Sequence, residues 1–137
     1  MVPELLNGGN HNDSRGIICF NNIFDSSSVK RMYTIENVDT LFTRGWQGHK
    51  VEQRWFSVMQ GSFIIVLIAI NNWENPSKKA EKKNFILNSE QLDVLYVPKG
   101  YVTSIQALSV GSKLLAMSDY RLNEIKDEYR FPLDYFE

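Results

Sequence analysis

One cysteine in 137 residues, Cys19, excludes a disulfide within the chain and suits a reducing compartment. Its neighbours Ile18 and Phe20 make it read as a small buried hydrophobe, not a nucleophile. No apolar run approaches the roughly 20 residues of a membrane helix; the longest, Phe63 to Ile70, is less than half of that. The stretch Met1 to Asn12 lacks the basic start and apolar core of a secretion signal, so a cytoplasmic protein is expected. Neither sign of charge is in excess: 15 Lys and Arg stand against 16 Asp and Glu, a net charge of -1. That balance argues against a broad basic surface for nucleic acid. The local cluster Lys78, Lys79, Lys82 and Lys83 reads as a solvated hairpin tip. Internal repeats and low-complexity linkers are also missing. What remains is 43% hydrophobic and 23% charged, an ordinary globular composition whose length fits one domain over 1–137.

Short β-rich segments separated by turn residues fill most of the chain. Gly16–Phe20, Arg31–Glu36, 49–59, Phe63–Ile70, Asn84–Leu87, Leu92–Val97, Val102–Ala107 and Lys113–Met117 are the strand candidates. Phe63–Ile70 is too short and too β-branched for a helix and is expected to be buried on both faces. Regular short strands with turns indicate a sandwich or barrel. Only Leu122, Ile125 and Tyr129 carry helical spacing, which predicts a short C-terminal helix laying one apolar stripe on the strands.

The chemistry is concentrated in Arg44-Gly45-Trp46-Gln47-Gly48-His49-Lys50, followed by Gln53 and Gly61, and then by Pro98-Lys99-Gly100. Strand alternation puts Gln47, His49, Val51, Gln53 and Trp55 on one face and Lys50, Glu52 and Arg54 on the other. An imidazole, two amides and an indole suit a polar pocket better than a packed core. His11, in a polar N-terminal stretch, reads as a solvated loop residue.

These two clusters resemble the two signatures of the cupin superfamily, a Gly followed by His-x-His and a later Pro-x-Gly turn. In many cupins two histidines, a glutamate and a third histidine hold a metal. The matching positions here are Gln47, His49, Gln53 or Arg54, and Thr103. His49 alone cannot supply the three or four donors a divalent ion needs, so no metal and no other cofactor is expected. Within the cupins the chain is similar to the WxcM-like, FdtA-type 3,4-ketoisomerases of dTDP-linked 4-keto-6-deoxy sugars, which share a jelly roll with the RmlC-type 3,5-epimerases. The likeness rests on Asp13-Ser14-Arg15-Gly16, Lys30-Arg31-Met32-Tyr33, Arg44-Gly45, Val97-Pro98-Lys99-Gly100 and Asp127-Glu128-Tyr129-Arg130, and runs from about residue 8 to the C-terminus.

The resemblance implies an all-β cupin jelly-roll barrel (a double-stranded β-helix), a homodimer with exchange of an N-terminal strand left open, and a role in cell-surface polysaccharide synthesis. Moving a carbonyl from carbon 4 to carbon 3 needs a base near neutral pKa, a proton donor, and cations for the diphosphate. It assigns His49 and Tyr33 as the catalytic acid/base pair. Arg44, Gln47, Arg31, Trp46, Gln53 and Tyr101 are the substrate-binding candidates. Gln47 stands where the family has its first motif histidine, and an amide cannot abstract a proton. The sequence therefore leaves open ketoisomerase, epimerase, or a binding module that has lost its base.

Overall fold

The computed structural model describes residues 1–137 and contains twelve strands and no helix. They are Glu4–Leu6 (β1), Gly9–Asp13 (β2), Gly16–Phe20 (β3), Arg31–Ile35 (β4), Thr43–His49 (β5) and Arg54–Gln60 (β6). Ser62–Ala69 (β7), Lys82–Asn88 (β8), Val94–Val97 (β9), Tyr101–Ala107 (β10), Lys113–Ser118 (β11) and Tyr129–Arg130 (β12) follow. Two five-stranded sheets result, ordered β1-β9-β6-β11-β4 and β12-β5-β10-β7-β8, with β2 and β3 as a separate hairpin.

Alternation along the strands builds the core between the sheets. Phe63, Ile65 and Leu67 of β7 are fully buried and meet Phe56 of β6, Leu95 of β9 and Leu114 of β11. Each such side chain contributes about 1.5–3 kcal/mol by leaving water. The opposite face of β7 is also covered. Ile68 packs with Val102, Trp46 and Phe136 of the C-terminal tail, with Val66 and Ile70 alongside. That tail is why β7 is apolar on both faces.

Three expectations are corrected. The sheets do not close into a barrel: each keeps two edge strands, β1 and β4 in one and β12 and β8 in the other, and no ladder joins β4 to β12. The space between those edges is occupied by the cavity described below, which is lined by residues of β4, β5 and the C-terminal segment. The C-terminal helix is absent. Residues 119–128 are bends and irregular chain around a turn at Leu122 and Asn123, with Asn123 left-handed at φ 64. Leu122 stays 68% exposed while Tyr129 pairs with β5 and packs on Trp73, so the three residues share no common apolar stripe, and a helix this short cannot stand without one. The 49–59 candidate is not one strand, because β5 ends at His49 and β6 begins at Arg54.

The hairpin β2–β3 pairs only with itself. His11 therefore sits on a strand, though exposed, and Cys19 is only half-buried. No helix of the chain is long and apolar enough to cross a membrane.

Candidate active site

A cavity of about 860 Å³ opens between the β4 edge and β5, with residues 121–129 along its rim. That size accommodates a ligand larger than a simple sugar. The side chains of β5 enter it through a bulge. Thr103 of β10 faces Gln47 and Ile105 faces Arg44, so one residue of β10 is spanned by two of β5, Gly45 and Trp46. Without the extra residue, Arg44 and Gln47 would point to opposite faces. Only glycine fits the first bulge position: a Cβ on Gly45 would lie 2.9 Å from both the Ser104 Cα and the Thr103 carbonyl oxygen. The bulge also turns Trp46 away from the cavity onto Phe136, with ring centroids 5.4 Å apart and its indole N–H donating to the Leu133 carbonyl at 3.2 Å.

His49 is the centre of the site. Its Nδ1 lies 3.0 Å from the Asp127 carbonyl oxygen and 3.1 Å from Glu52 Oε2. The carbonyl can only accept. The Arg54 guanidinium and other polar neighbours outweigh burial and hold the Glu52 carboxyl below its ordinary pKa, so it accepts too. Nδ1 must then carry the proton of a neutral ring, and the lone pair sits on Nε2. Nε2 has no hydrogen-bond partner in the protein. Burial, and then the nearby Arg54 charge, push the His49 pKa down, against the pull of Glu52 and Asp127. The imidazole is thus neutral at pH 7, as a base must be.

Behind His49 stand two further groups. Arg54 donates from Nε to Glu52 Oε2 at 2.9 Å and from both terminal nitrogens to Tyr33 Oη at 2.8 Å. The Asp127 carboxylate accepts from the backbone N–H groups of Lys50, Val51 and Glu52 at 2.9, 2.9 and 2.7 Å, fixing the turn that carries Glu52.

The structure places Tyr33, Arg31, Arg44, Gln47 and His49 together on the cavity wall. Gln47 donates to Glu128, on the rim. Trp46, Gln53 and Tyr101 are not brought there. Trp46 is turned outward, Gln53 binds Asp119 and the Tyr96 hydroxyl, and Tyr101 is buried in the core. Glu52, Arg54 and Asp127 are the residues that the sequence reading passed over. Alternation had set Glu52 and Arg54 opposite His49, and it fails because the chain turns between β5 and β6. Asp127 arrives from some 75 residues away, and the family-like Asp127–Arg130 ending marked it without assigning it a role in the site. No group of three His, Cys, Asp or Glu side chains is disposed to hold a metal ion.

Two facing antiparallel sheets around a polar, histidine-bearing cavity define a jelly roll of the cupin class. Residues 4–136 match the family described as "FdtA: WxcM-like, C-terminal", and the chain belongs to it. Among solved structures it is similar to a 3,4-ketoisomerase from Helicobacter canadensis, at 28% identity and TM-score 0.67, covering 90% of this chain and 89% of that one. It is similar in fold to a mutant of the 3,4-ketoisomerase QdtA from Thermoanaerobacterium thermosaccharolyticum in complex with TDP-4-keto-6-deoxyglucose. Identity there is 24%, TM-score 0.72, and coverage 97% and 90%. The RmlC epimerase of Mycobacterium tuberculosis shares the fold at 14% identity and TM-score 0.73, over 94% of this chain and 68% of that one. No curated protein matches the chain.

Proposed function

We infer that this protein is an isomerase of a dTDP-linked 4-keto-6-deoxyhexose, working by acid/base enolisation in deoxysugar synthesis. Family membership and the ketoisomerase relative support the substrate class. The observation that carries the chemistry is His49, with Nδ1 held between two acceptors and Nε2 unpartnered, on the same wall as the Tyr33 hydroxyl.

In this reading His49 Nε2 takes the proton from carbon 3, and the carbon 4 oxygen gains a proton as the enediol forms. Tyr33 polarises that oxygen and donates to it. The carbon 3 hydroxyl then returns a proton to the Tyr33 oxygen while His49 delivers one to carbon 4, leaving a 3-keto, 4-hydroxy sugar and both side chains in their starting states. Arg44 and Arg31 supply fixed positive charge for the diphosphate, as bidentate guanidinium groups do. Gln47 orients the sugar and takes no proton.

Proton NMR in heavy water with dTDP-4-keto-6-deoxyglucose tests the reading. Loss of the carbon 3 proton signal with growth of a 3-keto product is expected. Binding with neither exchange nor product would overturn it in favour of a ligand-binding protein.

The active form in this reading is a homodimer joined through the β2–β3 hairpin, where Ile17 and Ile18 are 61% and 60% exposed. Sedimentation at twice the 15.9 kDa chain mass is expected, and a purely monomeric species would refute it.

A further inference from the structure

We propose that Arg54 is a positioning residue that ties the base and the acid of the reaction to one buried ion pair; this rests on the reading of His49 and Tyr33 given above. The geometry is a continuous chain. A single oxygen, Glu52 Oε2, contacts His49 Nδ1 at 3.1 Å and Arg54 Nε at 2.9 Å. The far end of the same guanidinium places two N–H donors on Tyr33 Oη. Glu52 and Arg54 are both buried, at 6% and 7% exposure, so neither charge is diluted by solvent.

Each end of the chain gains something specific. Glu52 orients the imidazole, but a bare carboxylate beside Nδ1 would also hold a proton on the ring and spoil it as a base. Arg54 offsets that charge while leaving the oxygen as an acceptor. Its charge acts on His49 in the lowering direction, against Glu52 and Asp127. At the other end, a phenol oxygen that accepts two N–H bonds must point its own proton elsewhere. The same two bonds stabilise the oxygen once that proton has left. Arg31, with its guanidinium carbon 4.7 Å from the Tyr33 ring centroid, is the other charge facing Tyr33, and it touches the ring face. The other charged groups around the cavity are Glu36, Arg44, Arg121, Lys126 and Glu128, the last engaged with Gln47 and Arg130.

Arg54→Met and Arg54→Lys test this by NMR titration of the imidazoles together with the pH profile of turnover. The chain has two histidines, and exposed His11 serves as the internal reference. In Arg54→Met the Glu52 charge is left uncompensated, so the His49 midpoint is expected to rise by about one pH unit with His11 unmoved. The acid limb of the rate profile should rise with it, and turnover at pH 7 should fall about a hundredfold, less than tenfold of it from the shifted midpoint and the rest from the lost fork on Tyr33. An unmoved His49 midpoint would overturn the proposal. Arg54→Lys restores the charge beside Glu52 but not the fork, so the midpoint should stay near that of the parent while turnover still falls. Full turnover in Arg54→Lys would overturn the Tyr33 arm, and it can be read even if Arg54→Met does not fold. A shifted midpoint in Arg54→Met with an unshifted rate profile would sink His49 as the base, and the catalytic part of the proposal with it. The heavy-water exchange experiment on the parent protein reports on the substrate reading independently of either variant.

Discussion

Replacing His49 by asparagine is expected to lower turnover about a thousandfold while binding of the nucleotide sugar stays within about threefold. The argument is one of proton capacity. Asparagine has an amide N–H to offer the Asp127 carbonyl and the Glu52 carboxylate, so the cavity wall keeps its shape. It has no lone pair that titrates in a useful range. No neighbour can take over. The Gln47 amide is equally inert, and Glu128 is occupied by Gln47 and Arg130. Product formation followed by NMR gives the rate, and calorimetric titration gives the affinity. A variant that keeps a tenth or more of the parent rate would remove His49 from the mechanism. A variant that loses binding and rate together would mark His49 as a binding residue.

Asp127→Ala carries the largest expected loss of stability, about 3–5 kcal/mol, a substantial part of what holds a domain of this size together. The carboxylate is buried and accepts three backbone N–H groups, from Lys50, Val51 and Glu52. Alanine leaves all three donors without a partner, and each unsatisfied buried group costs about 1–3 kcal/mol. Asp127→Asn keeps an acceptor and should lose less. Urea unfolding measures both. A loss below about 1 kcal/mol for alanine would mean that water or a shifted backbone satisfies the turn, and that Asp127 does not anchor it.

Much of the architecture was legible because strand periodicity is local. The β4 segment follows from apolar alternation, and Gly16–Phe20 and the β7, β10 and β11 segments from short apolar, β-branched-rich runs between turn residues; all five are strands. Tyr33, Arg31, Arg44, Gln47 and His49 were legible for another reason: they lie in motifs whose order resembles a known family, and they share the cavity wall. The failures are places where distant contacts decide. β1 forms because Glu4–Leu6 finds β9, and β2 because it folds onto β3. Residues 50–52 leave the strand because Asp127 captures their N–H groups, and Asp119 takes that of Gln53. Glu52 and Arg54 then reach the cavity against the alternation, and Leu122 and Ile125 end in a turn and a bend along its rim, not on a helix.

The extra residue in β5 bears on how this site can change over evolutionary time. Arg44 on one side of the bulge, and Gln47 and His49 on the other, share the cavity only because Gly45 and Trp46 are spanned together. Loss of a single codon there would restore plain alternation and send one set of side chains to the outer surface. Replacing a residue leaves the frame intact, so the strand can trade one cavity side chain for another while its length is held fixed. Exchanging Gln47 for the histidine that the family resemblance places there would be such a trade, made in the middle of the site without disturbing the direction of its neighbours.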